Sequence, residues 1–269
     1  MRSALGQGLL PSRRWGSPNP LRPSLVLLHG LYGRGDQWCL YATALRSVFD
    51  VIALDLRNHG GAFHAPTQAH AEMVGDVMRT LDSLGVERFW AMGHSMGGRV
   101  AMQLAQREPT RVLGCVSLDA PIPGAQFSPK LAGYHQRVVG VLRGVKGGER
   151  MPREELRGVL AERGLDRQMA GYALRNYILR DGVWGWRIGL EGIADHAFNR
   201  LSEPMDDAPI TCPFLLVEAK RSILCRHITA EMFARFAPSG TRQIDVGATH
   251  LSLLFRPELA THWLVDRVG

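Results

Sequence analysis

Gly93, Ser95 and Gly97 form a Gly-x-Ser-x-Gly pattern inside "FWAMGHSMGGRVAMQLAQR", residues 89–107. A short apolar run precedes the serine and a helical run, stopped by Pro109, follows it. A strand that turns directly into a helix holds the residue between them in a strained backbone conformation, and side chains two positions away would block the turn. The flanks matter, because with 30 glycines and 13 serines in 269 residues the bare pattern arises readily by chance. In this context Ser95 stands at a sharp tip, where a base can reach its hydroxyl.

A serine hydroxyl is a poor nucleophile until a histidine takes its proton, and a carboxylate must orient that histidine. Of the ten histidines, His250 follows the last strand-like run, in "VGATHLSLLFRPE", and a parallel sheet would bring that loop to the edge that carries Ser95. His59 is the rival base. His94 adjoins the serine but is expected to point elsewhere, His29 lies on the loop after the first strand run, and His64, His70, His196 and His227 fall in polar or helical stretches.

Negative charge developing on an attacked carbonyl needs donors already aimed at it. One is the backbone N–H of Met96, at the start of the helix. The second is expected from Leu31 in "HGLYG", residues 29–33, where Gly30 and Gly33 let the backbone turn toward the carbonyl. His29, Gly30 and His94 are accordingly candidates for lining the substrate pocket.

The elements that must position these groups are legible as apolar runs at residues 25–28, 51–54, 89–92, 112–118, 214–217 and 244–246, alternating with helical patterns. That alternation predicts an α/β fold with a mainly parallel sheet and helices on both faces. Met73, Val77, Leu81 and Leu84 share one helical face, as do Trp38, Tyr41, Leu45 and Val48, and both stripes read as core. Between residues 121 and 205 the strand signal gives way to arginine-rich helical spacing broken by Gly140, Gly144, Gly147 and Gly148, which predicts a helical insertion. Residues 24–120 and 206–269 then form the core, 121–205 the insertion, and 1–23 a short strand or flexible tail.

The net charge of +7 is scattered, and the insertion alone carries 13 Lys and Arg against 9 Asp and Glu. No run suggests a nucleic-acid track, and no apolar stretch is long enough to span a membrane. Cys39, Cys115, Cys212 and Cys225 show neither close pairing nor metal-ligand spacing, which points to a reducing, cytoplasmic setting; organelle targeting by the basic, proline-rich tail is the alternative.

With "HGLYG", "DLRNHG" at residues 55–60 and "GHSMGG" together, the chain resembles the α/β-hydrolases over about residues 24–268, and within them the small esterase branch that includes bacterial YbfF-type esterases and mitochondrial abhydrolase-domain proteins. "YILRDGVWGWRIGLEGI", residues 177–193, is similar to the segment where that branch carries its helical cap and a tryptophan–arginine pair. The resemblance implies a hydrolase core with a lid inserted after the strand ending near Asp119. It also implies Asp119 as the acid, from "SLDAPIPG"; Glu218, at the end of a later strand in "FLLVEAKRSILC", is the alternative. Asp55, Arg57, Asn58 and His59 match the branch too and are expected to hold the rim of the site.

The expected activity is hydrolysis of carboxylic esters through an acyl-enzyme, with no cofactor and no metal. Trp184, Trp186, Tyr172, Tyr177 and Ile178 are candidates for an apolar acyl pocket. An acyl-CoA or acyl-carrier thioesterase, its basic insertion meeting phosphates, is the alternative in the same chemistry. A weakly catalytic ligand-binding protein on the same fold is the alternative of another class.

Overall fold

The apolar runs become strands in the computed structural model, which describes residues 8–16, 21–125, 129–145 and 151–268. In chain order the strands are β1 (Ser12–Trp15), β2 (Ser24–Leu28), β3 (Asp50–Leu54), β4 (Phe89–His94), β5 (Val112–Leu118), β6 (Tyr177–Arg180), β7 (Val183–Trp186), β8 (Phe214–Ala219) and β9 (Thr241–Asp245). Among the described residues, seven of them form one sheet in the order β1-β3-β2-β4-β5-β8-β9. Only β1 is antiparallel; every other neighbour pair is parallel. β2 to β5 and β8 are almost wholly buried, which is why they read as continuous apolar runs and not as alternating ones.

Parallel neighbours need crossovers, and helices supply them. These are α1 (Cys39–Leu45), α2 (His70–Ser83), α3 (Met96–Arg107), α8 (Ala230–Phe236) and α9 (Glu258–Val265). α2 packs on α3, while α1 packs on α9. The two helical stripes bury Met73, Val77 and Leu81, and Trp38, Tyr41 and Leu45, as periodicity requires; Leu84 and Val48, at the stripe ends, are not buried. Tyr41 also spends its hydroxyl, donating to the carbonyl of Leu253 at 2.8 Å.

Between β5 and β8 lies the insertion, with α4 (Pro129–Arg143), α5 (Arg153–Glu162), α6 (Arg167–Leu174) and α7 (Leu190–Asp195), the last continuing into a π-helical turn at His196–Arg200. It is not purely helical, which corrects the sequence expectation: β6 and β7 pair as a tight antiparallel hairpin. The turn residues Asp181 and Gly182 have φ of 52° and 78°, the left-handed conformation that a two-residue hairpin turn demands and an Asp-Gly pair supplies. Gly140 sits inside α4 without breaking it, and Gly144 follows its end. Gly147, Gly148 and residues 1–7 of the N-terminal stretch lie outside the described residues. β9 starts earlier than the apolar run implied and stops before Val246, which is 77% exposed.

Several hydrogen bonds bind the insertion to the core. Asn176 Nδ2 donates to the carbonyl of Tyr32 at 2.7 Å, Gly189 N–H to that of Asn58 at 2.8 Å, and Arg187 Nε to that of Gly60 at 2.6 Å. The Arg99 guanidinium on α3 reaches the carbonyls of Leu201 and Glu203. Among the described residues no helix is long and apolar enough to cross a membrane, and no group of His, Cys, Asp and Glu could hold a metal ion.

Backbone approaches backbone closely on both sides of the strand–helix turn. A Cβ on Gly97 would overlap the carbonyl of Leu28, and one on Gly93 would overlap that of Gly97. Backbone cannot yield as a side chain does, so Gly97→Ala is expected to cost about 3 kcal/mol, the upper end for overpacking. Urea unfolding would measure it; a loss within experimental error would show that the turn tolerates a methyl group.

Candidate active site

Four loops at the carboxyl ends of β2, β4, β5 and β9 meet at one edge of the sheet. Because β4 lies between β2 and β5, whatever follows β4 is flanked by the loops of both neighbours. Ser95 follows β4 with φ 55° and ψ −119°, and its N–H donates to the carbonyl of Leu118 at 2.9 Å. Asp119 follows β5, also at positive φ, 48°. Such conformations are costly for non-glycine residues and persist only where the surroundings hold them.

Asp119 is completely buried, and its Oδ2 accepts from His250 Nδ1 at 2.7 Å while its Oδ1 accepts from the N–H of Ala219 at 3.2 Å. Burial alone would raise its pKa. The hydrogen bond and charge of His250, with the Ser222 hydroxyl and the Ala219 N–H, outweigh burial and hold the carboxyl below the usual range. With Nδ1–H committed to Asp119, neutral His250 presents Nε2 as a proton acceptor. Ser95 and His250 line the same chamber of about 340 Å³. Glu218, the alternative acid, is instead paired with Arg242 through both carboxylate oxygens, which commits it away from His250.

Met96 is the first residue of α3, so its N–H has no acceptor within the helix and lies at the positive end of the helix dipole. Leu31 lines the same chamber as Ser95. The amides after it are tied down, Tyr32 N–H to His59 Nε2 at 3.1 Å and Gly33 N–H to the carbonyl of Gly30 at 2.9 Å. Gly30 passes so close to the turn that an added Cβ would lie 3.2 Å from Ser95 Cβ and 2.9 Å from His94 Nδ1. Gly30, Leu31 and His94 all line the chamber.

His29 and His59 do not line it. Both are fully buried and use the same tautomer: His29 Nδ1–H donates to the carbonyl of Gly30 at 2.9 Å and Nε2 accepts from Leu56 N–H at 3.0 Å. His59 Nδ1–H donates to the carbonyl of Arg57 at 2.9 Å, and its Nε2 accepts from Tyr32. The two rings, 5.0 Å apart, stitch the loop after β2 to the loop after β3. His59 thereby ceases to be a rival base, and His29 is a structural link, not a pocket residue. Nor does His94 point away from the site as expected: its Nε2–H donates to the carbonyl of His250 at 2.9 Å, and the rings lie 4.4 Å apart.

The acyl-pocket candidates fare differently. Tyr172 lines the chamber, its hydroxyl donating to Gln37 Oε1 at 2.8 Å. Trp184, Trp186 and Ile178 line a separate, open cavity of about 860 Å³ that includes neither Ser95 nor His250. Tyr177 is buried against both tryptophan rings and lines neither cavity. Hairpin geometry explains this, because β6 and β7 carry these rings as cross-strand neighbours, Tyr177 opposite Trp186 and Leu179 opposite Trp184. In their place the chamber is walled by Leu131, Tyr134 and His135 of α4, Gln168 and Met169 of α6, and the loop after β8 from Arg221 to Leu224. Sequence reasoning missed these; the one available signal was that Leu131, Tyr134 and His135 continue, toward the start of α4, the same helical face that buries Val138, Val139 and Leu142.

The rim residues are held by backbone and by each other. Asp55 accepts from Gly35 N–H at 2.7 Å and Gly61 N–H at 2.8 Å. Arg57 grips the buried Asp76 with two nitrogens, at 2.6 and 3.0 Å, and Asn58 Oδ1 accepts from Ala65 N–H at 2.7 Å.

A mainly parallel sheet with a left-handed serine in the turn between β4 and α3, and an insertion between β5 and β8 walling a chamber over it, defines the α/β-hydrolase class. The chain matches the family described as alpha/beta hydrolase fold over residues 23–257, and it belongs to that family. It is 31% identical to the sn-1-specific diacylglycerol lipase ABHD11 of Xenopus laevis over 237 residues, 86% of this chain and 74% of that protein. To the esterase YbfF of Escherichia coli (strain K12) it is 25% identical over 169 residues, 61% of this chain and 62% of that one. A solved structure described as a marine microorganism esterase superposes with a TM-score of 0.86 at 26% identity, covering 96% of this chain and 98% of that one.

Five histidines, His29, His59, His70, His94 and His196, are at most 1% exposed, and burial is the largest cause lowering each pKa, to about 3 for His94 and His196. Rings neutral in the native chain take up protons on unfolding once the pH falls below their ordinary value of 6.5. Stability is therefore full above that pH and is lost as pH falls toward the native values, by up to about 1.4 kcal/mol per pH unit for each ring. Urea unfolding between about pH 8 and about pH 5 reads this slope, and a flat profile would contradict the neutral assignments.

Proposed function

We propose that the protein is a serine hydrolase acting on small carboxylic esters through an acyl-enzyme, with Ser95 as nucleophile, His250 as base and Asp119 as the orienting acid. The observation that carries this reading is the 2.7 Å bond from His250 Nδ1 to an ionised, buried Asp119, beside a serine in the same chamber. His250 Nε2 takes the Ser95 hydroxyl proton as the oxygen attacks the ester carbonyl. The resulting oxyanion is held by the N–H groups of Leu31 and Met96. His250 then returns the proton to the departing alcohol, and a water activated by the same nitrogen releases the acid. The insertion serves as a cap whose α4 and α6 exclude water from this exchange. Relatives described as a diacylglycerol lipase and an esterase support the class of reaction.

A fluorophosphonate probe is expected to label the folded protein at Ser95 and to leave Ser95→Ala unlabelled; absence of labelling in folded protein would sink the hydrolase reading. Asp119→Asn should lower kcat by about four orders of magnitude by releasing the imidazole tautomer. Glu218→Gln should leave kcat within a few-fold. The opposite ranking would move the acid to Glu218. A higher kcat/KM for coenzyme A thioesters than for oxygen esters of the same acid would make the enzyme a thioesterase.

A further inference from the structure

Behind Ser95 the chamber continues into a second, much smaller compartment. The two share Leu31, Ser95, Leu131, His135 and Leu224, but only the outer one includes His250, and only the inner one includes Met96, His70, His196 and Arg99. This division assigns the two halves of an ester. The leaving alcohol must receive its proton from His250, so it occupies the outer chamber. The acyl group lies on the other side of the carbonyl, in the inner compartment.

That compartment offers about 20 Å³ to the centre of a water-sized group, close to what one such group needs and far below what a long chain needs. Its far wall is polar in a specific way. His196 is fully buried, and its Nδ1–H donates to the carbonyl of Gln68 at 2.9 Å. Burial keeps the ring neutral, so Nε2 carries a lone pair, and that atom is buried with no hydrogen-bond partner among the described residues. The His70 ring stands edge-on at 5.2 Å, also neutral and 1% exposed. Neither of its nitrogens is hydrogen-bonded among the described residues, Nδ1 lying 3.6 Å from Glu203 Oε2. Leaving a buried nitrogen unsatisfied is costly, so two such rings side by side favour an occupant that supplies what they lack. A hydroxyl does so, donating to His196 Nε2 and accepting from an N–H of His70. The Arg99 guanidinium, committed to the carbonyls of Leu201 and Glu203, adds positive charge to the wall and disfavours a cationic group.

We propose that the inner compartment is the acyl subsite and selects short acyl groups bearing a hydroxyl, recognised by His196 and His70. The inference rests on the esterase reading above, and it makes the enzyme a hydrolase of short hydroxyacyl esters whose bulk lies in the alcohol. The test compares benzyl 3-hydroxybutyrate with benzyl 3-methylbutyrate, in which a methyl group replaces the hydroxyl at nearly constant shape, and with benzyl octanoate. The wild-type protein is expected to prefer the hydroxy ester in kcat/KM by about tenfold or more, the worth of one or two hydrogen bonds. Octanoate should be the poorest of the three. His196→Phe keeps the ring and removes the acceptor, and it should bring the hydroxy-to-methyl ratio toward one, as should His70→Phe; circular dichroism would establish that each is folded. A ratio near one in the wild-type protein would mean that the compartment holds only a water and would overturn the proposal, as would octanoate at parity with 3-hydroxybutyrate. Hydrolysis of none of the three, with no fluorophosphonate labelling, would overturn the esterase reading itself.

Discussion

The first turn of α3 lies so close to β2 that only hydrogen atoms fit between Gly97 and the carbonyl of Leu28. That contact fixes where the helix begins relative to the sheet, and the one residue left to bridge β4 and α3 is Ser95, at φ 55°. Its strain is held by the bond from its own N–H to Leu118 and by the return of Arg99 N–H to its carbonyl. The neighbouring strand repeats the device at Asp119, which is bonded through its N–H to Val217. Two adjacent strands thus end in left-handed residues, and the loop carrying His250 meets the second of them.

Around this turn the protein uses histidine mainly as a neutral connector. His29 and His59 each donate from Nδ1 to one carbonyl and accept at Nε2 from one amide, so that two loops are joined without any buried charge. Within so apolar a surround a charged link would carry a desolvation cost that the bonds barely repay. His94 is also neutral but makes a single link, donating from Nε2 to the carbonyl of His250. His250 differs in having a carboxylate behind it and in being partly exposed to the chamber.

Much of the sheet could be read from the chain because buried parallel strands are continuous apolar runs separated by helical stripes. The turn at Ser95 was equally plain, since its glycines are demanded by backbone contacts at fixed spacing. The insertion was harder. Its hairpin is announced only by Asp181 and Gly182 among arginines, and its tryptophans, which in composition look like pocket walls, pack on Tyr177 at a distance from Ser95. The identity of the chamber walls depends on how α4 and α6 dock, a tertiary fact that periodicity cannot supply. His70 and His196 were invisible for a similar reason: they are 126 residues apart in the chain and meet only because the insertion folds back over α2.

The attachment points of the insertion have an evolutionary consequence. It holds the carbonyl of Tyr32 in the loop after β2, those of Asn58 and Gly60 in the loop after β3, and Arg99 one turn after Ser95. An insertion bound in this way is not an interchangeable module. Replacing it with the corresponding segment of a distant relative would withdraw bonds from the very loops that frame the serine, so the chamber can change here by substitution along α4, α6 and the π-helical turn, and much less readily by exchange of the whole segment.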